Sequence, residues 1–68
     1  MQLLHAGRKH ADIRLSRQEL RLISNALNEV CHGIDVPEFD TRLGATIGEA
    51  RALLDQIGAV IAQGQGVD

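Results

Sequence analysis

Three short motifs of the same kind divide this chain, and they constrain its fold more than any other feature. In a capping box, a side-chain oxygen caps the first turn of a helix, and an acidic residue three positions later bonds back to the cap. Each box here precedes a run of apolar residues with helical spacing. The boxes are Ser16–Glu19, Asp35–Glu38 and Thr46–Glu49. They predict three helices, over residues 16–32, 36–43 and 46–62.

The segment before the first box has the pattern of strands. Ile13 and Leu15 alternate with Asp12 and Arg14, the period of a half-buried strand, and Gly7 supplies a turn. Residues 1–15 are therefore predicted to form a β-hairpin. The expected fold is α+β, mainly α, in a single small domain over residues 1–63. Residues 64–68 are expected to form a frayed tail.

Two glycines are expected to end helices, and the last helix has one apolar side. Gly33 and Gly44 follow the first and second helices, where a left-handed residue often closes the final turn. In the last helix a single stripe collects most of the apolar residues, namely Ile47, Ala50, Leu53, Leu54, Ile57, Val60 and Ile61.

The first helix has more apolar surface than one packing neighbour requires. At 100° per residue its apolar arc spans roughly 180°. The arc contains Leu20, Leu22, Ile23, Ala26, Leu27, Val30 and Cys31, whereas Arg21, Ser24, Asn25, Asn28, Glu29 and His32 fill the other side. A chain of 68 residues is marginally stable alone, and its single cysteine excludes an internal disulfide. We therefore expect self-association, as a homodimer.

Charge is distributed unevenly along the chain. Residues 1–21 carry five basic and two acidic residues, whereas residues 22–68 carry two basic and seven acidic ones. This asymmetry can attract a charged partner or a second copy of the chain. The five basic residues are Arg8, Lys9, Arg14, Arg17 and Arg21.

The stretch EFDTRLGATIGEARALL, residues 38–54, has the outline of a bacterial helix-turn-helix. With Gly44 as the turn, the positions that must be apolar are occupied by Phe39, Leu43, Ala45, Ala50 and Leu53. Asp40 departs from the outline, because a small residue usually stands there. DNA reading needs cations for phosphates and bases, yet Arg51 stands between Glu49 and Asp55. The pattern predicts a corner between helices. A DNA-binding role is the alternative, and it would use Arg51 with the five basic residues above.

Several exposed positions are candidates for partner recognition. Asparagine is a poor helix former, so the two amides in the first helix either bond to the 33–37 loop or face a partner. In the last helix a glycine follows an arginine and an aspartate down one line, which suits a close helix crossing at a dimer axis. The candidates are Leu22, Asn25, Asn28, Glu29, His32, Arg51, Asp55 and Gly58.

The sequence contains few residues that could bind a metal ion or act as a reactive thiol. Cys31 and His32 point about 100° apart on a helix, and the C-terminal end of a helix disfavours a thiolate. We expect Cys31 to be a buried, inert thiol. His5 and His10 facing each other across the hairpin turn would offer two ligands to zinc or nickel, a minor alternative function in metal response or delivery. No cofactor is expected.

Function is expected to be binding and not catalysis. The chain has no phosphate-binding glycine loop, no nucleophile–base motif, and too few residues for a deep pocket. It has no apolar run long enough for a signal peptide or a membrane span, and one unpaired cysteine suits a reducing compartment. We expect a soluble cytoplasmic protein that binds itself, with another protein as a secondary partner, as an adaptor, inhibitor or antitoxin-like module. No membrane or small-molecule substrate is expected.

Overall fold

The computed structural model describes residues 1–63 of the chain. Two strands, β1 (Gln2–Ala6) and β2 (Ala11–Arg14), precede three helices, α1 (Arg17–Asn28), α2 (Phe39–Leu43) and α3 (Ile47–Gln63). A π-helical turn, Glu29–Gly33, extends α1. The predicted order of one hairpin followed by a long, a short and a long helix is confirmed. The expected tail lies outside the described residues.

The hairpin is a two-stranded antiparallel sheet with one irregularity. Gly7 N donates to His10 O at 2.8 Å and closes the turn. Leu3 pairs with Ile13 and His5 pairs with Asp12, so the register shifts at Leu4. A β-bulge of this kind bends and twists the strand that carries the extra residue.

The first capping box forms as predicted. Glu19 N donates to Ser16 Oγ at 3.0 Å, and Ser16 N donates to Glu19 Oε1 at 2.8 Å. The predicted left-handed stop at Gly33 is wrong, although the helical turns end where expected. Gly33 does not adopt a left-handed conformation; it lies inside the π-turn, where Ile34 N donates to Glu29 O at 2.9 Å. A methyl group on Gly33 would lie 2.6 Å from the Glu29 carboxylate, so glycine leaves room for that side chain.

The second capping box is wrong, and the short helix starts three residues later than predicted. Glu38 is left-handed, with φ 53° and ψ 48°, and no side-chain hydrogen bond caps α2. Glu38 itself is the residue that precedes the first turn of α2, so its carboxylate cannot bond back to a cap three positions earlier. The end of α2 is as predicted, since Gly44 has φ 73° and its N–H donates to Asp40 O at 2.9 Å.

The third box forms and opens α3. Thr46 N donates to Glu49 Oε1 at 2.9 Å, and Glu49 N donates to Thr46 Oγ1 at 3.1 Å. The two bonds satisfy backbone and side-chain groups reciprocally at the start of the helix. The helix then continues to Gln63, close to its predicted end.

The core is the seam between α1 and α3, which pack against each other in opposite directions. Arg17 at the start of α1 donates from Nη1 to Ile61 O near the end of α3 at 2.6 Å. At the other end the π-turn contacts α3. The seam consists of the covered residues, spaced four and three apart on each helix: Leu20, Ser24, Leu27 and Cys31 with Ala50, Leu54, Ile57 and Ile61. Among residues 1–63, only Cys31 and Ala50 are buried, with 5% and 8% of their surface exposed. Ser24 therefore lies in the seam, contrary to its predicted place on the polar side.

The fold is a single layer of helices. The overall extents are 40 × 32 × 16 Å, and an α-helix with side chains is about 10–12 Å thick. Domains are ordinarily two packed layers around one core. The hairpin is tied to α1 by the Met1 amine, which donates to Glu19 Oε2 at 2.6 Å, but all its residues remain exposed. Both sides of the helix pair are thus left without a covering layer.

Candidate protein-binding surface

Two apolar depressions lie along the same side of the α1–α3 pair. One is between the hairpin and the helices and is lined by Leu4, Ile13, Leu20 and Val60, among others. The other lies at the corner and is lined by Leu27, Leu43, Ala45, Ala50 and Leu53, with Glu49 at its edge. Positions seven apart on a helix share a face. Because Leu20 and Leu27, and likewise Leu53 and Val60, are seven apart, the two depressions follow the same faces of the two helices, and we treat them together as one groove.

Large apolar side chains in this groove are exposed to solvent. Leu53 is 48% exposed and Val60 is 54% exposed. Ile23 lies on α1 between Leu20 and Leu27, three and four residues from them, and is 36% exposed. We call this surface the apolar groove, and it consists of Leu4, Ile13, Leu20, Ile23, Leu27, Leu43, Leu53 and Val60.

The excess apolar arc expected on α1 is present, because α3 covers only half of it. Leu20, Leu27, Val30 and Cys31 are covered to varying degrees, while Ile23 and Ala26 remain exposed. Leu22 points almost directly away from the seam and is 69% exposed. A lone chain therefore leaves large aliphatic side chains in water.

The polar partner candidates lie on the other side of the same helix pair. By helical geometry Asn25 and Asn28 on α1 project from the side of the seam opposite Ile23, and the group on α3 projects from the side opposite Leu53. Glu29 and His32 are exposed in the π-turn that extends α1. The structure thus brings together two groups that the sequence left separate: Asn25, Asn28, Glu29 and His32 with Arg51, Asp55 and Gly58. They form a polar face, opposite the apolar groove.

Three residues of the polar face were predicted to make contacts, either within the chain or with a partner. Within residues 1–63, neither Asn25 nor Asn28 forms a side-chain hydrogen bond, so the expected bonds to the 33–37 loop are missing. A methyl group on Gly58 would meet nothing within 4 Å, so no helix within residues 1–63 crosses closely there, and the crossing at a dimer axis stays a prediction. Both amides and the glycine are open to solvent.

Two carboxylates have pKa values held below the usual range. The Met1 ammonium hydrogen-bonded to Glu19, together with the Ser16 backbone N–H, lowers the pKa of Glu19 to about 2. The Thr46 backbone N–H, followed by its hydroxyl, lowers the pKa of Glu49. Both groups therefore hold negative charge as helix caps, a structural task and not acid–base chemistry.

The metal alternative stays a prediction. His5 is paired with Asp12 across the hairpin, and the His10 carbonyl accepts the turn bond from Gly7. Among residues 1–63, no three His, Cys, Asp or Glu side chains are grouped to hold an ion. Cys31 is buried, as predicted. In the same range, no helix has the length and apolar character needed to cross a bilayer.

The corner and the basic residues lie at opposite ends of the molecule. The corner adjoins the start of α3, whereas Arg17 reaches the carbonyl of Ile61 near the end of that helix. Residues 47 and 61 are separated by about 21 Å along a helix. A major groove occupied by the start of α3 would therefore meet Glu49 and Asp55 first and the basic hairpin last.

No protein-family model, curated protein or solved structure matches this chain. The interpretation of the surface therefore depends on its own chemistry. The groove residues on α3 belonged to the predicted apolar stripe, where nothing distinguished core from surface. The only sequence signal for an uncovered side was the width of the apolar arc on α1.

Proposed function

We propose that this chain is a non-enzymatic protein-binding module that works as a homodimer, with an adaptor, inhibitor or antitoxin-like role. The observation that carries the proposal is the uncovered apolar groove on a single layer of helices. A second copy is the occupant, because stacking two such layers gives each copy the second layer that a domain requires. The polar face then stays available for a further protein partner.

The exposed area agrees with this occupant. The chain exposes 5535 Å², whereas a compact monomer of 63 residues would expose about 4,000 Å². Residues 64–68 can add at most roughly 700 Å², the value for a fully extended segment. The remaining excess, about 800 Å², equals what one partner contributes to a standard protein interface.

The dimensions point the same way. The radius of gyration is 13.6 Å, against about 11 Å for a compact chain of this length. Two stacked copies, each 16 Å in its shortest extent, would make a body about as thick as it is wide. The pairing of two helical hairpins in this manner is a four-helix bundle.

Light scattering over a concentration series tests the proposal. The expected mass is twice the 7.4 kDa of one chain, and the thermal midpoint should rise with protein concentration because dimerisation stabilises the folded state. Leu53→Glu should reduce the mass to that of a monomer. Ala52→Glu is the matched control, since Ala52 is exposed on the outer side of α3 and the mass should not change.

Two results would contradict the proposal. One is a wild-type mass of a single chain at millimolar concentration with a midpoint independent of concentration. The other is Leu53→Glu remaining dimeric while Ala52→Glu dissociates. Circular dichroism at the same concentrations separates a folded monomer from an unfolded chain. Where Leu53→Glu unfolds altogether, Leu53→Ala provides the milder comparison.

DNA binding remains the second candidate, and Gly44 in its left-handed conformation at the corner is what favours it. A dimer would gather the basic hairpins of two chains against phosphates. Retention on a DNA column should then fall steeply as salt is added. Absence of retention at low salt would remove this candidate.

A cytoplasmic location is proposed on the ground of the single, buried, unpaired cysteine.

A further inference from the structure

The molecule has a basic end and an acidic end. The basic end is the hairpin with the first turns of α1, where five basic residues face two acidic ones. The acidic end comprises the π-turn, the loop, α2 and the start of α3. Between residues 29 and 49 it carries five acidic residues, namely Glu29, Asp35, Glu38, Asp40 and Glu49, and one basic residue, Arg42. The α1–α3 pair separates the two ends along its length.

Two symmetric ways exist to stack one helix pair face to face on a second copy. If the twofold axis runs across the helices, each copy is reversed end for end, and α1 lies over the partner's α1. If the axis runs along the helices, like ends meet, and α1 lies over the partner's α3. Both are isologous arrangements that bury the same groove on each copy.

Charge decides between the two stackings. The axis along the helices would place one basic hairpin on the other and one acidic end on the other. Like charges placed together across an interface are unfavourable, whereas complementary ends fix orientation. The axis across the helices sets each basic hairpin over the acidic end of the second copy.

We infer that the apolar groove is closed by a second copy turned end for end, so that the hairpin of each chain caps the corner of the other. This inference rests on the proposed homodimer. Leu4 and Ile13 of one chain then cover Leu43 in the second, completing at each end a core that the hairpin and α2 only begin. Ile23, midway between Leu20 and Leu27, lies beside the same residue of the second chain.

Mixed cysteine variants test this arrangement directly. In a Cys31→Ala background, one copy carries Leu4→Cys and a differently tagged copy carries Leu43→Cys. A short bifunctional maleimide should cross-link the mixture into heterodimers, while either variant alone gives no cross-linked dimer. Ile23→Cys alone should cross-link to itself. Gly58→Cys on the polar face is the matched negative control.

The outcomes separate the orientation from the dimer itself. Efficient cross-linking of Leu4→Cys alone, with a dimeric mass, would overturn the end-for-end stacking and leave the proposed function standing. A dimeric mass with cross-links only through Gly58→Cys would overturn the use of the groove. A monomeric mass at all concentrations would contradict the proposed function, and the orientation would fall with it.

Charge reversal provides a second, independent test. A copy with Arg8→Glu and Lys9→Glu should self-associate at least tenfold more weakly, and so should a copy with Glu38→Lys and Asp40→Lys. Mixing the two should restore association. In the mixed dimer the acidic reversed hairpin lies over the basic reversed corner, and the two unchanged ends form the other contact. Addition of salt should weaken the wild-type dimer. Tighter self-association of either reversed copy would overturn the orientation.

Discussion

The guanidinium of Arg17 and the carbonyl oxygen of Ile61, 44 positions apart in the chain, are joined by a hydrogen bond of 2.6 Å. The bond links the beginning of α1 to the last turns of α3, where helix carbonyls have no partner within the helix. A cation there also interacts favourably with the helix dipole. One side chain thus ties the two long helices together at the end where the hairpin leaves.

Removing this tie should destabilise the helix pair. Arg17→Met keeps the aliphatic stem and deletes the donor, so the free energy of unfolding should fall by about 1 kcal/mol. Chemical denaturation at fixed protein concentration measures the change. Arg21→Met is the matched control, since Arg21 forms no side-chain hydrogen bond in the part of the chain that the structure describes. Equal losses in both variants would contradict a specific role for Arg17.

Acid should weaken the fold through Glu19. The pKa of this carboxyl is about 2 in the folded chain against an ordinary value of 4.5, so the folded state favours the ionised form. A lowered pKa stabilises the fold fully above about pH 4.5, and the contribution is lost as pH falls towards 2. Denaturation midpoints measured between pH 7 and pH 2 should follow this course.

A neutral analogue isolates the contribution of this carboxylate. Glu19→Gln keeps an oxygen that can complete the capping box but removes the charge facing the Met1 amine. Its stability should therefore depend less on pH between 4.5 and 2 than that of the wild type. Glu49→Gln serves as the comparison, because the pKa of Glu49 is also lowered but by Thr46 alone. A wild-type slope retained in Glu19→Gln would refute the assignment.

Two glycines should respond in opposite directions to the same substitution. Gly44 has φ 73°, so Gly44→Ala should lower the free energy of unfolding by about 1 kcal/mol from backbone strain alone, since nothing lies within 4 Å of the new methyl group. Gly58 is in mid-helix with equally open surroundings. Gly58→Ala should raise stability by about 0.8 kcal/mol. Thermal or chemical denaturation of the two variants checks the signs.

The elements that sequence predicts here are those fixed by local chemistry. The Ser16 and Thr46 boxes form because each needs only residues within one turn, and Gly44 ends α2 because its backbone permits a left-handed residue. Asp35 and Glu38 have the same spacing, yet the loop that returns from the π-turn approaches α2 through a left-handed Glu38. The spacing of Asp35 and Glu38 alone does not determine this path of the backbone.

The sequence indicated that part of the apolar surface of α1 would stay uncovered, but not which part. The width of the arc on α1 indicated that one neighbour would not cover it, and Leu22 and Ile23 are indeed exposed. Which half stays open depends on the direction from which α3 approaches, a property of the tertiary fold. The choice of Ser24 as a seam residue illustrates this, since a hydroxyl gives no apolar signal.

The two-stranded hairpin has a further consequence for how this protein behaves when concentrated. Within residues 1–63 each strand has only one neighbour, so both outer edges present unpaired backbone groups that can template ordered fibrils, next to the exposed Leu3 and Leu4. Arg8 and Lys9 in the turn would act as gatekeepers, because stacked copies would bring these cations together. The same charges that we propose orient the second copy would therefore also oppose polymerisation through the β-strands.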